Sequence, residues 1–168
     1  MLIELTLAII FIATSISLLF FIPLIFGAPF EPSSDKRTET IIQLAENCKN
    51  KKSLDLGSGN GKLVFALASK GCEAHGYEIN PWLVLYSKYK AKKLGLKNAH
   101  FHLANFWKKN FNKFDIITLF QMDFIMEKLE KKIKTECKKG TKIISNKWEF
   151  PNMKIKKKAN DVKLYLIE

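Results

Sequence analysis

Residues 55–61 read Asp-Leu-Gly-Ser-Gly-Asn-Gly, and a second acid, Glu78, follows roughly twenty positions on. Glycines such as Gly57, Gly59 and Gly61 let the backbone turn sharply and approach a ligand closely. A helix opening behind them leaves amides free for something electron-rich. A carboxylate where Glu78 stands suits the two hydroxyls of a ribose. Nicotinamide enzymes, flavoproteins and methyltransferases all use such loops, and a glycine turn without a ligand is the plain alternative. Two details favour a cationic ligand. The spacing is GxGxG, not GxGxxG, and Asp55 stands two residues before the first glycine. A pyrophosphate would be repelled there at short range, whereas the sulfonium and ammonium of S-adenosyl-L-methionine would be attracted. The expected cofactor is therefore S-adenosyl-L-methionine. Its methionine end would lie on Asp55, Gly57, Ser58, Gly59 and Gly61, its ribose on Glu78 and its adenine against Ile79.

The elements that must position these residues follow from pattern. Strands are predicted at 53–56, 73–77, 99–103, 115–120 and 142–145. Helices are predicted at 62–69, 81–93 and 123–137, from apolar residues at three- and four-residue spacing, with Pro81 suited to a first turn. Alternation of strand and helix predicts an α/β fold, a Rossmann-like, doubly wound, mostly parallel sheet. Ile155 and then Val162, Leu164 and Leu166 predict a closing antiparallel pair, turning at Ala159-Asn160-Asp161. On the helix after Glu78, Trp82, Tyr86 and Tyr89 share one face and are expected to pack on the sheet, the alternative being that they border a lysine channel. Asp123 is expected in the first turn of its helix, where a negative charge favours the dipole, the alternative being that it orients a substrate ammonium. Trp107 is expected to wall the adenine pocket or the core.

Residues 2–26 are almost uninterruptedly apolar, with only Glu4 charged. About 24 helical residues reach roughly 36 Å, against a hydrocarbon core of about 30 Å, so one N-terminal transmembrane helix is expected. The organisation is then an anchor at 1–27, a linker and lead-in helix at 28–50, and a catalytic domain at 51–168. Basic residues begin at Lys36 and Arg37, which places the domain on the cytoplasmic or matrix-equivalent side of a single-pass membrane protein. The net charge of +12 suits nucleic acid or an anionic lipid surface. A nucleic-acid partner leaves residues 2–26 unexplained. Cys48, Cys72 and Cys137 are widely spaced and odd in number, which reads as reduced, buried thiols. His75, His100 and His102 have no partner at ligand spacing, so no metal site is expected.

Residues 55–61, the stretch GYEINPWLVLYSKYKA at 76–91, and the segments 101–107, 129–132 and 148–151 resemble a known family. The likeness is to class I (seven-β-strand) S-adenosylmethionine-dependent methyltransferases, specifically those that modify lysines of the ATP synthase c-subunit and the adenine nucleotide translocase. It spans most of the chain after the apolar segment, and the family's layout of one hydrophobic anchor before the domain is similar. The resemblance alone implies a protein-lysine N-methyltransferase whose substrate is a membrane-embedded protein. It also implies that Asn105, where the family tends to have an acid, reads the adenine edge. A second departure is Gln121-Met122-Asp123-Phe124, where the family has a Gly- and Pro-containing loop. No general base is assigned. A catalytically inactive membrane-tethered adaptor and an RNA methyltransferase are the competing readings.

Overall fold

The computed structural model of the chain describes residues 2–26 and 35–168, with side chains of the first stretch described over 3–15. The chain divides into two compact units. The first holds helix α1, Leu2–Phe26, of 25 residues. Ile3, Leu5, Leu7, Phe11 and their neighbours on it are more than half exposed. Among the described residues no helix is long and apolar enough to cross a membrane. The expected span runs past Ser15 into side chains outside the described residues, as does the expected linker at 28–34.

The second unit opens with helix α2 (Asp35–Ala45), then alternates β1 (Lys52–Leu56), α3 (Lys62–Ser69), β2 (Glu73–Glu78), α4 (Pro81–Lys93) and β3 (Ala99–Leu103). After β4 (Ile116–Leu119) come α5 (Met126–Glu136), β5 (Lys142–Asn146), β6 (Lys157–Ala159) and β7 (Val162–Leu166). All strands join one sheet in the order β3-β2-β1-β4-β5-β7-β6. The first five are parallel, and β7 and β6 close the sheet antiparallel. The α/β expectation and its strand positions hold. The final hairpin turns on Asn160 and Asp161, both at positive φ (47° and 63°), as a two-residue turn between twisted strands requires.

Period-two burial splits the sheet between two apolar layers. On one face Ile41 and Leu44 of α2, Val64 and Leu67 of α3, and Val84 and Ala91 of α4 pack over Ala74, Phe101, Ile116 and Ile144. On the other, Met126, Leu129 and Ile133 of α5 pack over Leu54, Leu56, Ile117 and Ile143, with Phe111, Phe114 and Tyr165. Helix α2 is thus part of the core. All three cysteines are free and buried. Burial pushes the Cys72 and Cys137 thiols up to about 12, so both stay protonated and inert at neutral pH.

Two expectations are corrected. Trp82, Tyr86 and Tyr89 are not core residues: they are 67%, 49% and 66% exposed. Helix α4 buries Val84, Ser87 and Ala91 instead, small residues that let it lie close to the sheet. Asp123 does not open α5. It starts a 3-10 turn, Asp123–Ile125, and α5 begins only at Met126.

Candidate active site

Strands β1 and β4 are neighbours, but the chain leaves them toward opposite edges of the sheet. Such a switch point opens a crevice beyond the carboxyl ends of the strands. The residues singled out by sequence gather there. Gly57, Gly59 and Gly61 all have positive φ (76°, 53° and 80°), which side-chain-bearing residues rarely adopt. A Cβ on Gly61 would also lie 2.7 Å from the Phe101 ring.

The loop satisfies most of its own amides. Gly57 and Ser58 N–H donate to the Tyr77 carbonyl at 2.9 and 3.0 Å, and Gly61 N–H to the Ser58 carbonyl at 2.8 Å. Gly59 N–H donates to Glu78 Oε2 at 2.9 Å, and Lys62 N–H to Asn60 Oδ1 at 3.3 Å. The expectation of free amides for an electron-rich ligand is therefore corrected at these positions, and a pyrophosphate cradle goes with it. Glu78 Oε1 also accepts from Ile79 and Asn80 N–H at 2.8 and 2.9 Å. Three of roughly four acceptor positions on this buried carboxylate are occupied. One remains for a ribose hydroxyl, and holding both hydroxyls means giving up the Gly59 bond. Ile79 beside it is half-buried.

Asp55 sits at the end of β1, opposite Thr118 of β4, whose hydroxyl donates to Asp55 Oδ1 at 2.8 Å. Burial pushes the Asp55 carboxyl up to about 7. The Thr118 hydroxyl pulls it down, and the nearby Glu78 charge pushes it further up. Among the described residues neither Asp55 nor Glu78 forms an ion pair, although the chain carries 28 Lys and Arg. Two buried carboxylates lacking a protein cation fit a ligand that brings its own positive charge.

Ser58 and Asn105 also serve the fold itself. Ser58 is buried and its Oγ has no hydrogen-bond partner. It lies over Gly76, where an added Cβ would fall 2.5 Å from Oγ and 2.6 Å from the serine Cβ, so its side chain packs beneath the loop. Asn105 Oδ1 accepts Trp107 N–H at 3.0 Å, capping the 3-10 turn Phe106–Lys108. Its amide NH2 is the group left for a purine acceptor. Trp107 itself is half-buried against the α5 layer, under the Lys128 ammonium at 4.9 Å.

Three supports escaped sequence reasoning. Thr118 is paired to Asp55 only through strand register. Ser87, fully buried on α4, donates to the Gly59 carbonyl at 3.4 Å. Gln121, buried after β4, donates through Nε2 to the Leu56 carbonyl at 2.7 Å and braces the start of the glycine loop. Elsewhere, the parallel register sets His75 beside His100 and Tyr77 beside His102. The three histidines that lack ligand spacing in sequence thus stand together with Glu73 on one face of the sheet edge.

A family model described as the ANTKMT methyltransferase domain matches residues 55–157, more than half of the chain. The chain is 36% identical over 125 residues to the human lysine N-methyltransferase of the ATP synthase c-subunit, covering 74% of this chain and 53% of that protein. It is 29% identical to the mouse adenine nucleotide translocase lysine N-methyltransferase, covering 77% of this chain and 57% of that one. The chain thus spans about half the length of the curated relatives it matches. Among solved structures, an RNA methyltransferase from Salinibacter ruber in complex with S-adenosyl-L-homocysteine superimposes with a TM-score of 0.74 at 20% identity. It covers 82% of this chain and 92% of that one, a likeness of fold.

Proposed function

This chain belongs to the ANTKMT methyltransferase domain family, and from that premise we propose that it transfers a methyl group from S-adenosyl-L-methionine to a lysine of a membrane-embedded protein. The observation that carries the reading is the pair of buried carboxylates, Asp55 and Glu78, around a glycine loop whose amides are mostly occupied. That arrangement suits a sulfonium and an ammonium and suits a pyrophosphate poorly. Bound there, S-adenosyl-L-methionine supplies an already activated methyl group, so the protein's task is placement. Asp55 and the loop would hold the methionine end, Glu78 a ribose hydroxyl, Ile79 the adenine face and the Asn105 NH2 an adenine ring nitrogen.

The acceptor amine must arrive unprotonated, against a reference lysine pKa near 10.4. Lys163, 4% exposed on β7, donates its ammonium to the Lys147 carbonyl at the carboxyl end of β5. The Lys147 ammonium lies 5.2 Å from the centre of the Trp148 ring. A cationic rim disfavours a further ammonium and so favours the neutral amine.

Membrane attachment through residues 2–26 belongs to the same proposal. It is supported by a 25-residue helix carrying one charged residue, and by large apolar side chains exposed along its described part. The domain would face the cytoplasmic or matrix-equivalent side. Tethering beside an embedded target raises effective concentration without new contacts.

The test uses labelled S-adenosyl-L-methionine and membranes from the protein's own source. One labelled protein band whose label maps to lysine is expected. Label in RNA would replace this reading with the RNA one. Calorimetry with unlabelled cofactor separates the adaptor alternative, since an adaptor need not bind it.

A further inference from the structure

We propose that Glu73, His75 and His100 form a binding site for a divalent transition metal ion of the zinc class on the β2–β3 edge of the sheet, with His102 as the residue that orients His75. Alternate residues on a strand share a face, so Glu73 and His75 project together from β2, and His100 and His102 from β3. Register sets His75 directly against His100. This is the face that α5 covers further along the sheet. Over β2 and β3 it carries Phe114, whose ring centre lies 5.5 Å from that of His75, and His100 stays half-buried while His102 is exposed.

One ligand atom from each of Glu73, His75 and His100 lies within 4.8 Å of the others. Zinc bonds of about 2.0–2.1 Å in a tetrahedron require donor atoms roughly 3.4 Å apart, so the widest pair must close by up to about 1.4 Å. Glu73 Oε1 and His75 Nε2 are already 3.1 Å apart, so the adjustment falls on half-buried His100 at the sheet edge and on the Glu73 side chain, 43% exposed. Three protein ligands leave one position for water, as in an open zinc site.

Both nitrogens of His75 are engaged. Nε2 is 3.1 Å from Glu73 Oε1, and Nδ1 is 3.1 Å from His102 Nε2. With a metal on Nε2, the ring proton resides on Nδ1 and is donated to His102, the outer hydrogen bond by which ligating histidines are usually held. Without a metal the cluster has a second solution: His75 Nε2–H donates to Glu73, and His102 Nε2–H donates to His75 Nδ1. Lys52, 3.2 Å from Glu73 Oε2, opposes a cation and weakens the expected affinity. It occupies the oxygen that the metal does not need.

The experiment is calorimetric titration of the metal-free full chain with zinc chloride, with the visible spectrum of the cobalt form as a second readout and Tm as a third. One equivalent bound at micromolar Kd with a rise in Tm is expected. Glu73→Gln and His100→Ala should each weaken binding at least tenfold, and His102→Ala by about tenfold, while Cys72→Ser leaves it unchanged. Glu73→Gln alters an exposed side chain and serves if His100→Ala does not fold. Millimolar binding only, undiminished binding in both Glu73→Gln and His100→Ala, or loss of binding in Cys72→Ser would each overturn the site.

Discussion

The two halves of the sheet's carboxyl edge are built on opposite charge. Across β1 and β2, two carboxylates are buried with hydrogen bonds but no cation: Glu78 takes three backbone N–H groups and Asp55 a threonine hydroxyl. Across β5 and β7 it is an ammonium that is buried. Lys163 is held by the Lys147 carbonyl and lies 3.6 Å from Glu149. In the first half most loop amides are already paired within the chain. The second has an exposed side, with Phe124 80% exposed at the mouth after β4. A preorganised negative pocket beside a lysine-rich region fits the proposed function, with a cationic cofactor held in the first and the acceptor entering beside the second.

The strongest way to break that comparison is Glu78→Ala. It removes three charge-assisted hydrogen bonds, one to Gly59 of the loop and two to Ile79 and Asn80 in the turn before α4, together with the proposed ribose contact. Methyl transfer should fall at least 100-fold, about 2.7 kcal/mol, with far-UV circular dichroism unchanged. Activity above a tenth of the parent would remove Glu78 from the site. Next in size is Gly76→Ala, whose Cβ would fall 2.5 Å from Ser58 Oγ. Overpacking of this kind costs about 1–3 kcal/mol, measured by urea denaturation, and Ser58→Gly in the same chain should restore part of it. No destabilisation would mean that the floor of the loop is softer than the structure shows.

Asp55→Asn tests the charge argument itself. The folded Asp55 is raised to about 7, so its contribution to apo stability is complete below its unfolded value of about 4 and is lost as pH rises through 7. A cationic cofactor prefers the ionised form. Affinity for S-adenosyl-L-methionine should therefore improve from pH 6 to 7, by up to about tenfold per unit, and flatten above. Asp55→Asn should bind about tenfold more weakly at pH 7.5 and lose the slope below 7. A wild-type affinity flat across this window would show that Asp55 does not meet the ligand's charge.

The fold was largely legible because its signals are local. Glycines at a strand end, Pro81 at a helix start and alternating Val162, Leu164 and Leu166 each report on a few neighbouring residues. What stayed hidden depends on register or on which face a helix turns inward. Thr118 meets Asp55, and His75 meets His100, across strands far apart in sequence. Helix α4 is ambiguous in its own pattern, since Trp82, Tyr86 and Tyr89 repeat with a helical period just as Val84, Ser87 and Ala91 do. Periodicity marks a stripe but does not say which stripe is buried; here the small residues win because they let the helix approach. The hydrogen bond of Asn105 stayed hidden for a similar reason: its carbonyl is taken by the turn to Trp107, which leaves its NH2.

The smallest predicted effect probes the open half. Phe124 contributes little burial, so Phe124→Ala should change stability by no more than other surface changes, about 0.5 kcal/mol, and should leave cofactor affinity untouched. If this side chain borders the acceptor channel, KM for the protein substrate should rise about three- to tenfold with kcat nearly unchanged, the mark of a contact made equally in ground and transition states. A fall in cofactor affinity of the same size would mean that the two halves are coupled through Gln121, three residues away, whose side chain already grips the carbonyl at the end of β1. Gln121→Ala separates these cases. It should weaken cofactor binding through the loop whether or not Phe124 does, so only a joint effect of the two substitutions that is not additive would erase the boundary between the halves.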